Sequence, residues 1–361
     1  MKKIRVLVVD DSALMRKMIP DILRRDPELE VAGIAMDGLF ALKKMRELRP
    51  DVVTLDIDMP RMDGLETLRR IMAEFGTPTI MVSSLSKKDA ELTFRALELG
   101  AFDYVTKPRD AISVHIAEIA GDLIAKVKAA FENPVARLTM VNARPVAPSP
   151  RKTTRPLRIG SAERVLAIGV STGGPNALTY LLPRLPGDFP AAVLIVQHMP
   201  AGFTEIFASR LNVLSSLEVK EAKDGDLVLP GRALIAPGNR HLKVKRLPLG
   251  AIAVLSDAAP VSGHRPSADV LFRSVAAEYG SNAAGLIMTG MGADGADGIG
   301  EIRANGGLTV AQDEKSCIVF GMPKAAIERN HIMDVVSLEN LGGYLNNHFS
   351  ANPVREQVLE R

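Results

Sequence analysis

The feature that most limits how this chain can fold is a regular alternation of short apolar runs with amphipathic stretches. The segments between the apolar runs have the spacing of helices that bury one face, and alternating units of this kind build a parallel sheet covered by helices. We therefore predict a doubly wound α/β domain over residues 1–125, with five buried strands near Val6–Val9, Val31–Ala35, Val52–Leu55, Thr79–Val82 and Tyr104–Val105.

The alternation stops after this region and then begins again. Residues 132–158 mix prolines with arginines and lysine, a composition typical of an extended basic linker. A hairpin is predicted at Lys243–Lys245 and Ile252–Leu255, because Pro248 and Gly250 separate two short runs. We predict a second, larger doubly wound domain over residues 159–350, with strands near Val165–Val170, Ala191–Val196, Ala233–Ala236, Gly285–Thr289, Leu308–Ala311 and Ile332–Val335.

Composition excludes several classes of function. The 361 residues are 47% hydrophobic and 24% charged, as in a globular protein, and the formal charge of +3 is too small to indicate nucleic-acid binding. The apolar run after Lys2 and Lys3 ends at Asp10, so no export signal is predicted, and no run reaches the ~18 apolar residues of a spanning helix. With Cys317 as the single cysteine, we expect a cytoplasmic protein without membrane insertion.

Acidic residues follow two strands of the first domain. Asp10 and Asp11 come after the first strand and Asp56 after the third, and the carboxyl ends of parallel strands meet at one edge. Three converging carboxylates favour a hard cation, with Mg²⁺ as the natural occupant. Ser83 and Lys107 end the next two strands, and this set suits a phosphoryl group on Asp56. Two alternatives stay open: a helix N-cap at Asp10 or Asp11, and a solvated charge at Lys107.

This arrangement resembles the response-regulator receiver family, whose fold is flavodoxin-like. The resemblance implies that Asp56 accepts a phosphoryl group from a histidine kinase, with Mg²⁺ held by Asp10 or Asp11, by Asp56 and by the carbonyl of Asp58. It also implies a cis peptide at Lys107–Pro108. Tyr104 stands at the family's aromatic switch position, although a half-buried strand aromatic explains it equally well.

A nucleophile motif opens the second domain. Ser171 lies in Gly-Val-Ser-Thr-Gly at a predicted strand-to-helix turn, where small residues expose a serine hydroxyl. The same glycines could instead cradle a phosphate. His198 and Asp294 follow later strands, so the three side chains can converge as nucleophile, base and orienting acid. The glycine-rich turn around Met291 offers N–H groups to an oxyanion.

Other candidates stand close to this set. Asp297 is a second candidate acid, with a first-turn helix charge as its alternative role. His241 and His264 lie in polar loops and are candidates for substrate binding.

Three motifs together are similar to the chemotaxis protein-glutamate methylesterase family: Gly-Val-Ser-Thr-Gly-Gly-Pro, Gln-His-Met-Pro and Thr-Gly-Met-Gly-Ala-Asp-Gly. The segment His264–Phe272 also looks like that family. The resemblance implies a Rossmann-like catalytic domain with Ser171, His198 and Asp294 as the triad and the Met291 amide near the oxyanion.

The reaction implied by this family is hydrolysis of glutamate 5-O-methyl esters on chemoreceptors to glutamate and methanol, with deamidation of receptor glutamines in many members. The ester step needs no cofactor in the family. In the family, phosphorylation of the receiver relieves its block of the active site.

Three rival functions are consistent with some of these residues. A response regulator with a DNA-binding second domain would show a compact helical recognition unit and a basic face, and neither is present in the sequence. A receiver-controlled hydrolase of small esters would share every catalytic residue. A non-catalytic scaffold would not need the complete set of Ser171, His198 and Asp294.

Overall fold

The computed structural model describes residues 3–107, 113–133 and 162–350. The chain divides into two compact units, Met1–Ala143 and Arg144–Arg361, each described here by itself. Most of the predicted linker and the second residue of the Lys107–Pro108 peptide lie outside the described residues. The boundaries 1–125 and 159–350 stay predictions. The last helix of the first unit continues to Glu132, past residue 125.

The first unit is a five-stranded sheet with the order β2-β1-β3-β4-β5, and all neighbouring strands are parallel. The predicted doubly wound fold is confirmed. Its strands are β1 Ile4–Val9, β2 Leu29–Ala35, β3 Val52–Asp56, β4 Thr79–Ser83 and β5 Asp103–Thr106. Its helices are α1 Met15–Leu23, α2 Gly38–Leu48, α3 Gly64–Glu74, α4 Lys87–Glu98 and α5 Ser113–Glu132.

Side chains cap the helices that follow these strands, and the caps stabilise the turns from strand to helix. The carboxylates of Asp37 and Asp63 accept hydrogen bonds from the third amide of α2 and α3, and the Ser86 hydroxyl does the same for α4. Gly64 begins α3 against β3, where an added Cβ would stand 2.1 Å from the backbone oxygen of Asp56. The chain can therefore pass directly beneath Asp56 only with glycine at this position.

The second unit contains a seven-stranded parallel sheet of order β14-β13-β12-β6-β7-β9-β8 and an antiparallel hairpin. The strands are β6 Val165–Val170, β7 Ala192–Gln197, β8 Glu218–Glu221, β9 Arg232–Ile235, β10 His241–Leu247, β11 Gly250–Ser256, β12 Ala283–Ile287, β13 Leu308–Gln312 and β14 Asp334–Val336. The helices are α6 Gly174–Leu181, α7 Phe203–Leu214, α8 Ala268–Tyr279, α9 Ala296–Ala304, α10 Met322–Glu328 and α11 Leu338–Ser350.

One strand of this sheet escaped the sequence prediction. β8 reads Glu-Val-Lys-Glu and lies at the edge of the sheet, so it has no apolar run that the periodicity could detect. The predicted hairpin of β10 and β11 is confirmed.

The chain reverses its direction across the sheet at β6. This strand lies between β12 and β7, so a crevice is expected at the carboxyl ends of β6 and β12, where doubly wound sheets bind ligands. All residues of β6, β7 and β12 are buried. Polar side chains are therefore available only where these strands end.

Helices α8 and α9 cross closely beside this crevice. A Cβ added to Gly298 of α9 would lie 2.7 Å from the backbone oxygen of Asp269 and 3.0 Å from the Cβ of Phe272. This contact sets the distance between the two helices. Among the helices of the described residues, none has the length and apolar character needed to cross a membrane.

Two glycines in the second unit give a matched test of this packing. Gly298→Ala is expected to destabilise the unit by about 1–3 kcal/mol, because backbone atoms cannot yield as a flexible side chain could. Gly343→Ala on the exposed face of α11 meets nothing within 4 Å and is expected to stabilise it by about 0.5–1 kcal/mol through helix propensity. Urea denaturation of the full chain measures both. Changes of the same sign would contradict the close crossing.

Candidate active site

The predicted acidic residues of the first unit do converge. Asp10 and Asp56 are buried and Asp11 is exposed, and one carboxylate oxygen from each lies within 4.8 Å of the others. The Lys107 ammonium is 2.7 Å from Asp56 Oδ2 and 3.2 Å from Asp10 Oδ2. The solvated-charge interpretation of Lys107 is therefore wrong. The N-cap interpretation is also wrong, since α1 begins at Met15 with Leu14 as its N-cap residue, and Asp10 Oδ1 accepts a bond from the Ser12 amide instead.

The electrostatics of this cluster are unbalanced. Burial raises the pKa of Asp56 to about 6, and the neighbouring Asp10 carboxylate adds to this rise while Lys107 opposes it. Burial also raises the pKa of Asp10. The Lys107 ammonium contacts two of the three clustered carboxylates, and no other hydrogen-bond donor of the described residues reaches Asp10 Oδ2 or Asp56 Oδ2. These oxygens fit a hard divalent cation such as Mg²⁺.

The contribution predicted from Asp58 is its backbone oxygen, and it stays a prediction. The Asp58 carboxylate is 79% exposed and lies 4.0 Å from the Lys88 ammonium. It is not one of the clustered carboxylates.

Ser83, the last residue of β4, and Tyr104, the second residue of β5, are both buried. The Ser83 hydroxyl accepts a hydrogen bond of 2.8 Å from Thr93 and donates one of 3.1 Å to the Ser84 carbonyl. The Tyr104 side chain is buried rather than half-buried, and the Lys126 ammonium donates to its backbone oxygen at 2.7 Å. Sequence reasoning missed Thr93 and Lys126, because both lie inside helices and follow no strand.

In the second unit, Ser171 stands where β6 turns into α6. Its amide donates to the Thr289 carbonyl at 3.0 Å, so the turn is tied to the end of β12. The buried Gln197 side chain donates to the Ser171 carbonyl at 3.0 Å and to the His198 carbonyl at 3.1 Å. One amide group therefore fixes the predicted nucleophile and the predicted base relative to each other.

Asp294 is buried and surrounded by donors. It accepts bonds from His198 Nε2 at 2.7 Å, from the Ser267 hydroxyl at 2.6 Å, and from the amides of Ala268 at 2.7 Å and Asp269 at 3.2 Å. These two amides begin α8, where the helix dipole favours negative charge. Burial alone would raise the pKa of Asp294, but His198, Ser267 and the Ala268 amide outweigh it and lower the pKa.

The contact with Asp294 leaves His198 Nδ1 buried without a hydrogen-bond partner in the described part of the chain. The tautomer that fits has Nε2–H donating to the carboxylate and a lone pair on Nδ1. His198 follows β7 and Ser171 follows the paired strand β6, with Val170 opposite Gln197. Nδ1 is thus the ring nitrogen that the contact with Asp294 leaves open, and the transfer of the Ser171 proton to His198 stays a prediction.

The glycine-rich turn after β12 lies against the serine. A Cβ added to Gly290 would be 2.9 Å from the Cβ of Ser171, so the two turns touch. Gly292 has a φ of 81°, which lets the chain reverse after Met291. No described residue accepts a hydrogen bond from the Met291 amide. Its predicted role as an oxyanion donor stays a prediction.

Asp297 and His241, two of the other candidates, make contacts of their own with neighbouring groups. Asp297 is in the first turn of α9 and lies 3.3 Å from the Arg329 guanidinium, as expected for a surface helix charge. His241 is fully buried, with Nδ1 accepting from the Ser267 amide at 3.2 Å and Nε2 donating to the Ala259 carbonyl at 3.1 Å. It supports the start of α8 through Ser267, and its predicted role in substrate binding stays a prediction.

Comparison with known proteins finds matches to both units. The CheB methylesterase family matches residues 166–345, and the response regulator receiver domain matches residues 6–117. A protein from Koribacter versatilis named protein-glutamate methylesterase/protein-glutamine glutaminase 2 is 56% identical over 346 residues, which cover 95% of this chain and 95% of that protein. A Pyrococcus horikoshii protein of the same name without the number is 46% identical over 340 residues, 94% of this chain and 92% of that protein.

The chain belongs to the CheB methylesterase family. The crystal structure of the Thermotoga maritima CheB methylesterase catalytic domain is 39% identical, with a TM-score of 0.51, and covers 51% of this chain and 98% of that chain. The family prediction from the sequence is confirmed, and a DNA-binding second domain is excluded. The polar groups that sequence reasoning missed around this CheB site, Gln197 and Ser267, lie just before His198 and at the start of α8.

The raised pKa of Asp56 predicts how Mg²⁺ binding depends on pH. Below about pH 6 a proton occupies Asp56 and competes with the cation, so affinity should weaken roughly tenfold per unit of pH, whereas above about pH 7 it should be flat. Isothermal titration calorimetry on the full chain measures this. Asp294→Asn, in the other unit, should leave the curve unchanged. An affinity independent of pH down to about pH 5 would contradict the prediction.

Proposed function

We propose that this chain is a phosphorylation-activated serine esterase that hydrolyses glutamate 5-O-methyl esters of chemoreceptors to glutamate and methanol, and that it also deamidates receptor glutamines to glutamate. The observation that carries the proposal is the buried contact of 2.7 Å between His198 and Asp294 beside the turn of Ser171. The names of the Koribacter and Pyrococcus relatives support the same substrate class.

In the proposed reaction the Ser171 hydroxyl attacks the ester carbonyl and transfers its proton to His198 Nδ1. The tetrahedral oxyanion accepts a hydrogen bond from the Met291 amide. The intermediate collapses as His198 gives the proton to the departing methoxide. Methanol leaves, and the glutamyl group stays on Ser171 as an ester. Water then gives its proton to His198 and attacks, and the proton returns to Ser171 as glutamate is released.

Asp294 serves this sequence by staying ionised. His198 becomes a cation twice in each cycle, and the buried carboxylate at its Nε2 stabilises that charge without taking the proton. The donors on Asp294 keep its pKa below the usual range, which supports this role. An amide substrate can follow the same route, with ammonia as the group that His198 protonates.

The receiver unit supports control by phosphorylation. Asp56 would accept the phosphoryl group of a chemotaxis histidine kinase, and the Lys107 ammonium and Ser83 hydroxyl lie at the same sheet edge to receive its oxygens. Mg²⁺ held by Asp10, Asp11, Asp56 and the Asp58 carbonyl would offset the repulsion between carboxylate and phosphoryl. A cytoplasmic location, where kinase and receptor tails are accessible, stays our prediction.

Methanol release from methylated receptor fragments tests the catalytic residues. Ser171→Ala should abolish release, and Asp294→Asn should lower kcat about 10³–10⁴-fold because the imidazole loses its orienting acceptor. Asp297→Asn is the matched control, since this neighbouring carboxylate faces Arg329, and it should change kcat less than about twofold. Full activity in Ser171→Ala would refute the serine mechanism.

A small phosphodonor with Mg²⁺ tests the control by the receiver. Release by the intact chain should rise when both are added, and Asp56→Asn should keep the basal rate and lose the rise. Ser171→Ala should stay inactive in either condition. A rise that persists in Asp56→Asn would place the phosphoryl group elsewhere, and a rate indifferent to the phosphodonor would leave an esterase without this control.

A further inference from the structure

His198 has a second aromatic neighbour that the proposed mechanism does not use. The imidazole ring of His264 stacks on the ring of His198, with centroids 3.8 Å apart and planes inclined by 10°. The Asp294 carboxylate holds one edge of the His198 ring through Nε2, but a single hydrogen bond leaves the ring free to tilt about that contact. The stacked ring closes the face through which the tilt would occur.

The turn that carries His264 is tightly closed. The amide of Val261 donates to the His264 carbonyl at 3.1 Å, and the amide of His264 donates back at 2.9 Å. The two residues between them, Ser262 and Gly263, have φ angles of 53° and 79°. Two successive positive φ angles are the geometry of a compact two-residue hairpin loop, so the backbone at His264 has little freedom.

Side chains fasten this turn to the rest of the second unit. The Arg265 guanidinium donates to the Asp257 carbonyl at 3.0 Å, to the Ala258 carbonyl at 3.2 Å and to the Asn239 side chain at 2.6 Å. The Ser262 hydroxyl donates to Asp269 Oδ2 at 3.3 Å.

Asp269 also connects the turn to the remainder of the site. Its amide donates to Asp294, and its own Oδ1 accepts from the Gly298 amide at 2.7 Å. The turn of His264 and the loop of Asp294 are therefore attached to the same first turn of α8.

We propose that His264 is a positioning residue that holds the His198 ring with Nδ1 directed for proton transfer, and that its flat face rather than its ring nitrogens does so. The inference rests on the proposed function. Nδ1 is buried and has no hydrogen bond of its own to keep it in place, so packing against the ring face must supply the restraint. Small errors in placing a proton acceptor lower the rate of the chemical step far more than they weaken substrate binding.

Two substitutions of His264 distinguish a role of its ring face from a role of its ring nitrogens, because phenylalanine keeps a flat ring without nitrogens and alanine has no ring. His264→Ala should lower kcat for methanol release by about 10–100-fold with KM within about twofold, whereas His264→Phe should stay within about threefold of the parent in both. His348→Ala is the control histidine. Its carbonyl accepts from Arg164, just before β6, at the sheet end opposite Ser171, and kcat should not change.

A measurement without substrate tests the positioning role of His264 separately from the proposed esterase function. The Nε2–H proton of His198, bonded to Asp294, should give a downfield proton resonance in the parent chain and in His264→Phe, and a resonance broadened by solvent exchange in His264→Ala. This pattern would support the stack even if no receptor ester were hydrolysed. An unchanged resonance and kcat in His264→Ala would overturn the proposal, and so would impairment in His264→Phe equal to that in His264→Ala.

Discussion

The parallel alignment of the strands is the constraint on which both sites depend. When every strand of a sheet runs the same way and is covered by helices on both faces, its middle residues must be apolar, and polar groups gather at the edge where the strands end. Asp10 follows β1 and Asp56 ends β3, and Ser171 and His198 follow β6 and β7. The same packing rule thus assembles an acidic cluster in one unit and a nucleophile with its base in the other.

Two buried aspartates at these sheet edges have pKa values shifted in opposite directions by their surroundings. Asp56 lies among carboxylates with one shared ammonium, and its pKa is raised to about 6. Asp294 has two helix amides, a hydroxyl and an imidazole as donors, and its pKa is lowered. The Asp56 site has an excess of negative charge and is suited to bind a cation. Asp294 is ionised before the reaction begins, as a carboxylate that stabilises an imidazolium must be.

The strand pattern allowed much of this to be predicted. Apolar runs located nearly all strands, the polar residues at their ends included the acidic cluster, Ser171 and His198, and the turn after one of them contained Asp294. β8 could not be found in this way, because an edge strand reading Glu-Val-Lys-Glu has no apolar period. The Asp10 N-cap and the solvated Lys107 were local alternatives that contacts with distant strands removed.

The sequence by itself determined the fold class, the family and which side chains end the strands, because periodicity and motif spacing are properties of neighbouring residues. Only the tertiary structure decided what those side chains touch. Three contacts join residues more than 20 positions apart. Ser267 and the α8 amides donate to Asp294, Gln197 donates to the turn of Ser171, and His264 stacks on His198. Such contacts leave no local period in the chain, since they arise when separate strand ends and helix starts meet at one edge of the folded sheet.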